Sequence, residues 1–346
     1  MPQRGAERRA DLWDALGGGA VRCRLCAHRC TIEAGARGTC GVRENRGGEL
    51  HTLVYGRLVA EHPNPAEMKP FYHFHPGSLQ HSIATAGCNL RCAWCQNWEI
   101  SQMPREEGRI GGVVRGPQQV VAAAVAGGCQ AVSYTFTEPT VFFELARDTA
   151  LLAREAGLAN TFVTNGYFTG EALHMAADWL DAASVDLKAF REETYRRWCG
   201  ARLEPVLDSL RGLRAAGIWV EVTTLVVPGI NDDLRELADL ARFVVEELGP
   251  ATPWHLSRFH PAYRFTDRPP TPVETLQRAR ALGLSAGLRY VYLGNVPGEQ
   301  NTLCPACGAL LVRRSRRTVI ENRVAAGGRC PTCGEPVDGV GMAAEG

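Results

Sequence analysis

The sequence predicts an α/β fold in which parallel strands form a partial or complete β/α barrel, flanked at both ends of the chain by small cysteine-rich modules. Short runs rich in Val, Thr, Phe and Tyr alternate with amphipathic segments across residues 81–300, and most of the 13 cysteines fall into three clusters. Strand–helix alternation over about two hundred residues is typical of a parallel sheet, with an open doubly wound sheet as the alternative.

The predicted strands are short runs rich in β-branched and aromatic residues and bounded by Gly or Pro. They cover residues 82–87, 131–136, 160–166, 183–190, 219–227, 254–260 and 290–295. Between them, residues 139–157 carry apolar side chains at helical spacing and end at Gly157. A second apolar stripe begins after Asn231, the predicted N-cap, and stops at Gly249.

We expect three parts along the chain. Residues 1–80 form an N-terminal cysteine-rich module and an irregular connection rich in Pro and His, and residues 81–300 form the barrel. Residues 301–346 form a C-terminal module of zinc-ribbon or rubredoxin-like type.

Charge and hydropathy exclude several classes of protein. With 38 Lys and Arg against 37 Asp and Glu, nothing favours nucleic acid or an acidic membrane surface as a partner. The arginines of residues 313–317 are interpreted as a solvated strand face rather than a phosphate site. No apolar run reaches the ~18 residues of a membrane span, and residues 1–20 lack the apolar segment of a secretory signal. We therefore expect a cytoplasmic protein whose clustered cysteines are metal ligands or catalytic groups rather than disulfides.

Polar residues recur where the predicted strands end. The carboxyl ends of parallel strands share one edge, which carries the active site in barrels and open α/β sheets. The residues at these ends are Cys88, Glu138, Asn165, Asp186, Lys188 and His260.

The central motif has the spacing C-x3-C-x2-C and follows the first barrel strand, at Cys88, Cys92 and Cys95. A closed structural zinc site takes four ligands, so three thiolates are one too few. Three thiolates can hold three irons of a [4Fe–4S] cluster and leave the fourth iron open. A zinc knuckle that borrows a fourth ligand is the alternative.

Two further cysteine sets flank the barrel. Cys304, Cys307, Cys330 and Cys333 form two C-x2-C pairs, which suit a tetrahedral site for zinc, or for iron with the same ligands. For the N-terminal set zinc is the first choice. An auxiliary iron–sulfur cluster is the alternative, because such a cluster could deliver electrons to the central one. That set is Cys23, Cys26, Cys30 and Cys40. The two isolated cysteines are expected to be small buried hydrophobic residues: Cys129 and Cys199.

The central motif, with an aromatic residue before its last cysteine, resembles that of radical S-adenosylmethionine (SAM) enzymes, in the branch of pyruvate formate-lyase activating enzyme. The similarity continues in order through residues 134–139, 164–167, 186–188 and 227–232. The resemblance implies that Glu138 binds the methionyl amine of SAM. It also offers Asn165, Asp186 and Lys188 as contacts to the SAM carboxylate or ribose, with a plain ion pair as the alternative for Asp186 and Lys188.

The whole chain from about residue 21 to residue 340 is similar to the radical SAM component of the AmmeMemoRadiSam system. The similarity rests on the N-terminal cysteine motif, on Lys69-Pro70 and the following His-rich residues, and on residues 294–298. Two departures from the activating-enzyme branch stand out. Val163 replaces an Asp, which puts a monovalent cation near the SAM carboxylate in doubt, and Phe136-Thr137 replaces a Gly-Gly pair.

The resemblance implies reductive cleavage of SAM to a 5′-deoxyadenosyl radical that abstracts hydrogen from an unidentified small molecule or protein. It also implies a reductant of flavodoxin or ferredoxin type and AmmeMemoRadiSam partner proteins. His260 and Tyr263 are candidates to line the substrate mouth, or are structural. Activation of a glycyl-radical enzyme is the alternative activity, and an iron–sulfur electron-transfer protein is the alternative of another class. A zinc-ribbon nucleic-acid module is disfavoured by the net charge.

Overall fold

The computed structural model describes residues 8–343, and its central element is a nine-stranded sheet. Seven neighbouring strands run parallel in strict chain order. We number them β1 to β7: Leu79–Thr85, Ala131–Tyr134, Ala159–Thr164, Ala182–Asp186, Trp219–Val226, Trp254–Arg258 and Val291–Gly294. Sequential order without a switch point is that of a β/α barrel rather than of a doubly wound sheet. Within residues 8–343 β7 has no strand on its outer side, so the barrel is partial and open.

Helices follow the parallel strands, and those of neighbouring units contact one another. The longer ones are Pro117–Ala126, Phe143–Glu155, Gly170–Ala176, Glu204–Ala215, Leu234–Phe243 and Val273–Ser285. Shorter helical turns are Gly17–Gly19, Ala66–Met68, Trp98–Ser101, Met103–Glu106, Pro139–Phe142, Glu192–Thr194, Tyr195–Cys199 and Val244–Leu248. None of the helices in the described chain has the length and apolar character needed to cross a membrane.

The N-cap predicted at Asn231 is wrong by two residues. The Asp233 carboxylate accepts hydrogen bonds from the backbone N–H groups of Arg235 and Glu236 and caps the helix there. Asn231 instead holds the loop after β5, because its amide donates to the carbonyls of Lys188 and Leu225. Both residue types suit a cap, so local sequence does not separate them.

The stretch predicted as an irregular connection begins as a strand. Arg57–Pro65 pairs antiparallel with β1, and Val113–Val114 pairs with its first residues. Pro63 and Pro65 lie in the part of this strand without a partner on its outer side, where a missing N–H costs no ladder bond.

Residues 66–76 follow that strand and cover the concave face of the sheet. Phe71 and Phe74 pack there against Ala182 in a small buried cluster. The Glu221 carboxylate accepts the backbone N–H groups of Tyr72 and His73 at 3.0 and 2.8 Å. Buried backbone groups of an irregular segment need such partners, so this polar strand residue fixes the segment.

Small antiparallel sheets lie at both ends of the chain. The N-terminal sheets comprise Arg8–Arg9, Trp13–Ala15, Val21–Cys23, Thr31–Ile32, Arg43–Arg46 and Glu49–Thr52. The C-terminal sheet comprises Thr302–Leu303, Leu310–Ser315 and Thr318–Asn322. The prediction of a solvated face for residues 313–317 is wrong for Arg314, which is fully buried and pairs with Glu67 at 3.4 Å. Its neighbours Arg316 and Arg317 are exposed.

Candidate active site

A cavity of about 560 Å³ opens at the carboxyl ends of the parallel strands. Its walls include every residue predicted for the central cluster and for SAM: Cys88, Cys92, Cys95, Glu138, Asn165, Asp186 and Lys188. Two candidates for the substrate mouth lie outside these walls. His260 is exposed, and Tyr263 stacks on Trp98 at a centroid distance of 5.4 Å. The cavity therefore collects the strand-end residues of β1 to β4 and leaves out His260.

The cysteine loop starts at Gly87, whose backbone has a φ of 102°. A Cβ at this position would lie 2.7 Å from the Val42 side chain and 3.3 Å from the Cys40 carbonyl oxygen. Only glycine fits both the backbone conformation and the close approach. The loop that presents Cys88 is thus packed directly against the N-terminal module.

Each of the three thiols of this loop has a pKa above its usual value. Burial raises the pKa of Cys88, and the nearby Glu138 and the other cysteines add to the effect. The pKa of Cys92 is raised by a contact with Cys199 and by burial. Crowded thiols that resist ionisation alone become good ligands when a cation is present, since the cation reverses the sign of the local field. This donor set fits a [4Fe–4S] cluster.

Glu138 is a buried carboxylate held entirely by neutral donors. It accepts the Thr140 hydroxyl at 2.5 Å, the Thr164 hydroxyl at 2.7 Å and the backbone N–H of Asn165 at 2.8 Å. Burial raises its pKa, and these hydrogen bonds partly offset that effect. No Lys or Arg of residues 8–343 pairs with Glu138, so its charge is available to a ligand cation.

The turn after β3 presents Asn165. Its side-chain Nδ2 donates to the side-chain Oδ1 of Asn89 at 2.8 Å, and its own Oδ1 accepts the Tyr167 backbone N–H at 3.0 Å. Gly166 follows with a φ of 69°, and a Cβ there would lie 2.9 Å from Val185. The glycine lets the turn pass close to β4.

Asp186 and Lys188 form the ion pair that the sequence left open as an alternative. The Lys188 ammonium donates to Asp186 at 2.9 Å. Burial opposes the charge on Lys188, but Asp186 and the nearby Cys92 and Cys199 outweigh it and raise its pKa. Pairing does not remove the two groups from the cavity, because both remain in its wall.

Sequence reasoning missed several residues of this site. Cys199 was predicted as a small buried residue, and it is buried, but it also contacts Cys92. Lys69, Arg316 and Arg317 line the cavity from segments far along the chain. The Lys69-Pro70 pair carried a signal only through the family resemblance.

The C-terminal cysteines converge on one point. The sulfurs of Cys304 and Cys333 lie 3.6 Å apart, and those of Cys307 and Cys330 lie 3.7 Å apart. Around a tetrahedral ion with metal–sulfur bonds of about 2.3 Å, the sulfurs stand about 3.8 Å apart. This set therefore fits a single bound metal ion.

The N-terminal cysteines share one small buried cavity without converging in the same way. Its walls include Cys23, Cys26, Cys30 and Cys40, together with Thr140. In residues 8–343 the C-terminal set alone brings three or more ligand atoms within 4.8 Å of one another. Burial and the neighbouring Cys23 raise the pKa of Cys26.

Part of this chain matches a known protein family. Residues 82–241 match the model described as the radical SAM superfamily. An uncharacterized protein of Methanocaldococcus jannaschii is 45% identical over 334 residues, which cover 96% of this chain and 99% of that protein. The isethionate sulfite-lyase activating enzyme of Nitratidesulfovibrio vulgaris is 29% identical over 139 residues, 38% of this chain and 43% of that enzyme. The chain thus spans less than half of that characterised relative.

Two solved structures are similar to parts of this chain. A radical SAM methyltransferase from Sphaerobacter thermophilus has a TM-score of 0.49 and 18% identity, covering 68% of this chain and 71% of that one. A domain of pyruvate-formate lyase-activating enzyme from Bacteroides vulgatus has a TM-score of 0.43 and 17% identity, covering 48% of this chain and 99% of that one.

The family match begins inside β1 and contains the three-cysteine loop, Glu138, Asn165, Asp186 and Lys188. Enzymes of this class need a one-electron reductant and a substrate. The chain belongs to the radical SAM superfamily and is an enzyme that cleaves SAM with a [4Fe–4S] cluster.

Proposed function

We propose that this enzyme is the radical SAM component of an AmmeMemoRadiSam system and uses SAM cleavage to abstract hydrogen from a substrate. The observation that carries the proposal is the single cavity that collects the three cysteines and all four predicted SAM contacts. When bound, the cluster and SAM supply a reductive cleavage that yields methionine and a 5′-deoxyadenosyl radical. The chain itself binds, orients and shields these groups.

The residue roles follow from position and charge. Cys88, Cys92 and Cys95 would ligate three irons. Glu138 would receive the methionyl amine, because it is buried, anionic and without a cationic partner in the described chain. A charge-assisted hydrogen bond between buried groups is the strong kind.

Asn165, Asp186 and Lys188 would contact the SAM carboxylate or ribose. Asn165 is oriented by hydrogen bonds on both sides of its amide. Lys188 keeps its positive charge beside Asp186 and can share it with a carboxylate.

The test is anaerobic. The protein is reconstituted with iron and sulfide and reduced with dithionite, SAM is added and 5′-deoxyadenosine is measured. We expect production by the wild type and by Cys129→Ala, and none by the Cys88→Ala/Cys92→Ala/Cys95→Ala variant. Equal production by the triple variant would contradict the cluster assignment.

Glu138 has its own test. Glu138→Gln keeps the shape of the side chain but removes its charge, so we expect SAM to bind the oxidised holoenzyme at least about tenfold more weakly. Binding is measured by calorimetry, with Glu99→Gln as a control on an exposed helix start. Unchanged affinity would remove Glu138 from the SAM site, and no SAM binding by the wild type would favour an iron–sulfur electron carrier.

For the N-terminal set we propose an auxiliary iron–sulfur cluster rather than zinc. The irons of a cluster hold their ligands further apart than one ion does, and these sulfurs do not converge as the C-terminal ones do. The set also lies beside the active site, since Thr140 lines its cavity and donates to Glu138. A cluster here would relay an electron from a flavodoxin- or ferredoxin-type reductant.

Metal analysis separates the two metals. In the Cys88→Ala/Cys92→Ala/Cys95→Ala background, the auxiliary cluster predicts retained iron, sulfide and an electron paramagnetic resonance signal after reduction. Adding Cys23→Ala and Cys26→Ala should abolish all three. One zinc per chain at this set, without iron, would support the first sequence-based choice instead.

For the C-terminal set we propose structural zinc. The four sulfurs close a tetrahedron and leave no open position. Elemental analysis of the protein as purified should give one zinc that Cys304→Ser/Cys330→Ser removes, whereas a red protein with the absorption of ferric thiolate would assign rubredoxin-like iron.

Activation of a glycyl-radical enzyme is a second candidate, favoured by the similarity to an activating enzyme over 139 residues. That activity predicts a glycyl doublet in the electron paramagnetic resonance spectrum when enzyme, SAM, reductant and a glycyl-radical partner are mixed. Intact SAM cleavage without a doublet favours the first proposal.

A further inference from the structure

One wall of the active-site cavity carries three cationic side chains from two distant parts of the chain. They are Lys69, in the segment that covers the concave face, and Arg316 and Arg317, in the turn between the last two strands. We call these three residues the cationic wall.

Lys69 is the buried member of the cationic wall. Only 3% of the residue is exposed, and its ammonium lies 3.8 Å from the centre of the Phe136 ring. No carboxylate or hydrogen-bond acceptor in residues 8–343 reaches this ammonium. Burial, and to a lesser extent Arg317, lower the pKa of Lys69 to about 7. A buried ammonium without an anion is costly, so a protein retains one where a ligand supplies the anion.

Arg316 and Arg317 are placed by their neighbour Arg314. The Arg314 guanidinium donates to the Tyr72 carbonyl at 2.7 Å and to the Thr302 hydroxyl at 2.7 Å. These bonds tie the C-terminal turn to the segment that contains Lys69. Arg317 donates to the neutral Asn295 at 2.6 Å, and Arg316 has no partner in the described chain.

The carboxylates of the cavity do not balance this charge, because two of them pair with other cations and the third is assigned to SAM. Glu67 pairs with Arg314, and Asp186 pairs with Lys188. Glu138 accepts hydrogen bonds from neutral donors only and is the residue that we assign to the methionyl amine of SAM. The cationic wall is therefore uncompensated on the side of the cavity that it faces.

We propose that the cationic wall binds a carboxylate or phosphate group of the substrate, which makes the substrate an organic anion. This inference rests on the proposed function, since it assigns a substrate class to the same cavity. Arg suits bidentate binding of either group, and Lys adds a point charge in a site of low polarity. The wall combines residues of the concave segment and of the C-terminal module, so it forms only when both are in place.

The experiment uses the oxidised holoenzyme with SAM bound, a state in which SAM is not cleaved. Inorganic phosphate and succinate are titrated separately by calorimetry. The variants are Lys69→Gln and Arg316→Gln/Arg317→Gln. The matched control is Arg313→Gln, because Arg313 lies on the strand that leads into this turn, pairs with Glu321 and does not line the cavity.

We expect at least one anion to bind the wild type and the control, with a dissociation constant at least about tenfold higher in both wall variants. The stronger of the two probes identifies phosphate or carboxylate as the recognised group. Equal binding by all four proteins, or no binding of either anion to the wild type, would overturn the proposal.

SAM affinity is measured on the same samples. A loss of SAM binding in Lys69→Gln without a change in anion binding would assign Lys69 to the SAM carboxylate and would also overturn the proposal. SAM binding and 5′-deoxyadenosine formation by the wild type need neither anion, so they test the proposed function separately.

Discussion

The two flanking cysteine sets look alike in sequence, but the structure packs them differently. Cys23 and Cys40 belong to the same apolar core as the barrel strands and the cysteine loop. Cys304 and Cys330 belong to a separate small core with Leu311, Val312 and other C-terminal residues. The first set is part of the barrel's interior, and the second is the centre of a module of its own.

The contacts that join each set to the barrel differ as well. The N-terminal side is joined by a fully buried ion pair between Arg43 and Glu144, while Gly87 packs on Val42. The C-terminal side is joined by a polar network in which His73 contacts the Asp338 carbonyl and Arg314 contacts Glu67. We infer that the N-terminal set folds with the barrel, whereas the C-terminal set depends on its metal.

The largest expected effect concerns the inferred dependence of the C-terminal module on a bound metal. Binding of structural zinc contributes about 10–16 kcal/mol in small zinc domains, and the C-terminal core is too small to replace it. Cys304→Ser/Cys307→Ser should raise amide hydrogen exchange across residues 301–343 by at least about a hundredfold while β2 to β5 stay protected. Cys23→Ser/Cys26→Ser is the matched variant of the N-terminal set. Unchanged protection of residues 301–343 in Cys304→Ser/Cys307→Ser would contradict the inferred difference between the two sets.

The buried ion pair tests the N-terminal side. Glu144→Gln leaves Arg43 charged and buried, which should lower the free energy of unfolding of the whole chain by about 3–5 kcal/mol. Urea denaturation followed by tryptophan fluorescence measures it. The exposed Glu49→Gln is the control. A loss of structure confined to residues 8–52, with the barrel as stable as before, would show that the N-terminal side folds separately.

The polar network should respond to pH through His73. Burial lowers the pKa of His73 to about 4, although the nearby Glu221 opposes the shift. Between pH 6.5 and pH 4 the unfolded chain binds a proton that the folded chain refuses, so stability falls by about 3 kcal/mol as the pH drops through this window. The lowered pKa of Glu221 acts in the same direction.

His73→Gln removes the titrating group, so its stability should fall less between pH 6.5 and pH 4 than that of the wild type. The exposed His174→Gln should match the wild type. Denaturation curves at several pH values measure both, and parallel pH profiles for all three proteins would exclude His73 as a source of acid sensitivity.

The smallest effect has the opposite sign. Lys69→Met replaces a buried, unpaired ammonium with an apolar chain, which should raise the free energy of unfolding at pH 7 by about 1–3 kcal/mol. The wild type gains stability as the pH rises from about 7 towards 10.5, because only the unfolded chain then carries the proton. The difference between the two proteins should therefore shrink at pH 9, and a destabilised variant would mean that Lys69 packs as a structural residue.

The fold was largely predictable because its signals are local. Each predicted parallel strand overlaps an observed one, since β-branched and aromatic runs between glycines leave few other conformations. The strand Arg57–Pro65 was not predictable, because prolines usually indicate a loop. They fit a strand here because this part of it has a partner strand on one side only, which the sequence does not reveal.

The location of the candidate site was predictable where a single motif indicates the chemistry. The spacing of Cys88, Cys92 and Cys95 predicts a cluster, and the structure places these residues after β1 in the wall of the cavity. Lys69 and Arg317 line the same cavity although more than half of the chain separates them in sequence. The buried Arg314 joins their two segments by its hydrogen bond to the Tyr72 carbonyl. The local sequence does not predict that contact, and the run of arginines in residues 313–317 indicated a solvated strand face instead.

Arg314 gives the C-terminal module a role beyond that of its four clustered cysteines. Its guanidinium is buried between the two segments that form the cationic wall, so the shape of the active-site mouth depends on a module built around four distant cysteines. On the two proposals made above, metal supply would control substrate recognition at a distance: a chain with its iron but without a C-terminal metal would retain the SAM site and lose the surface proposed to select the substrate.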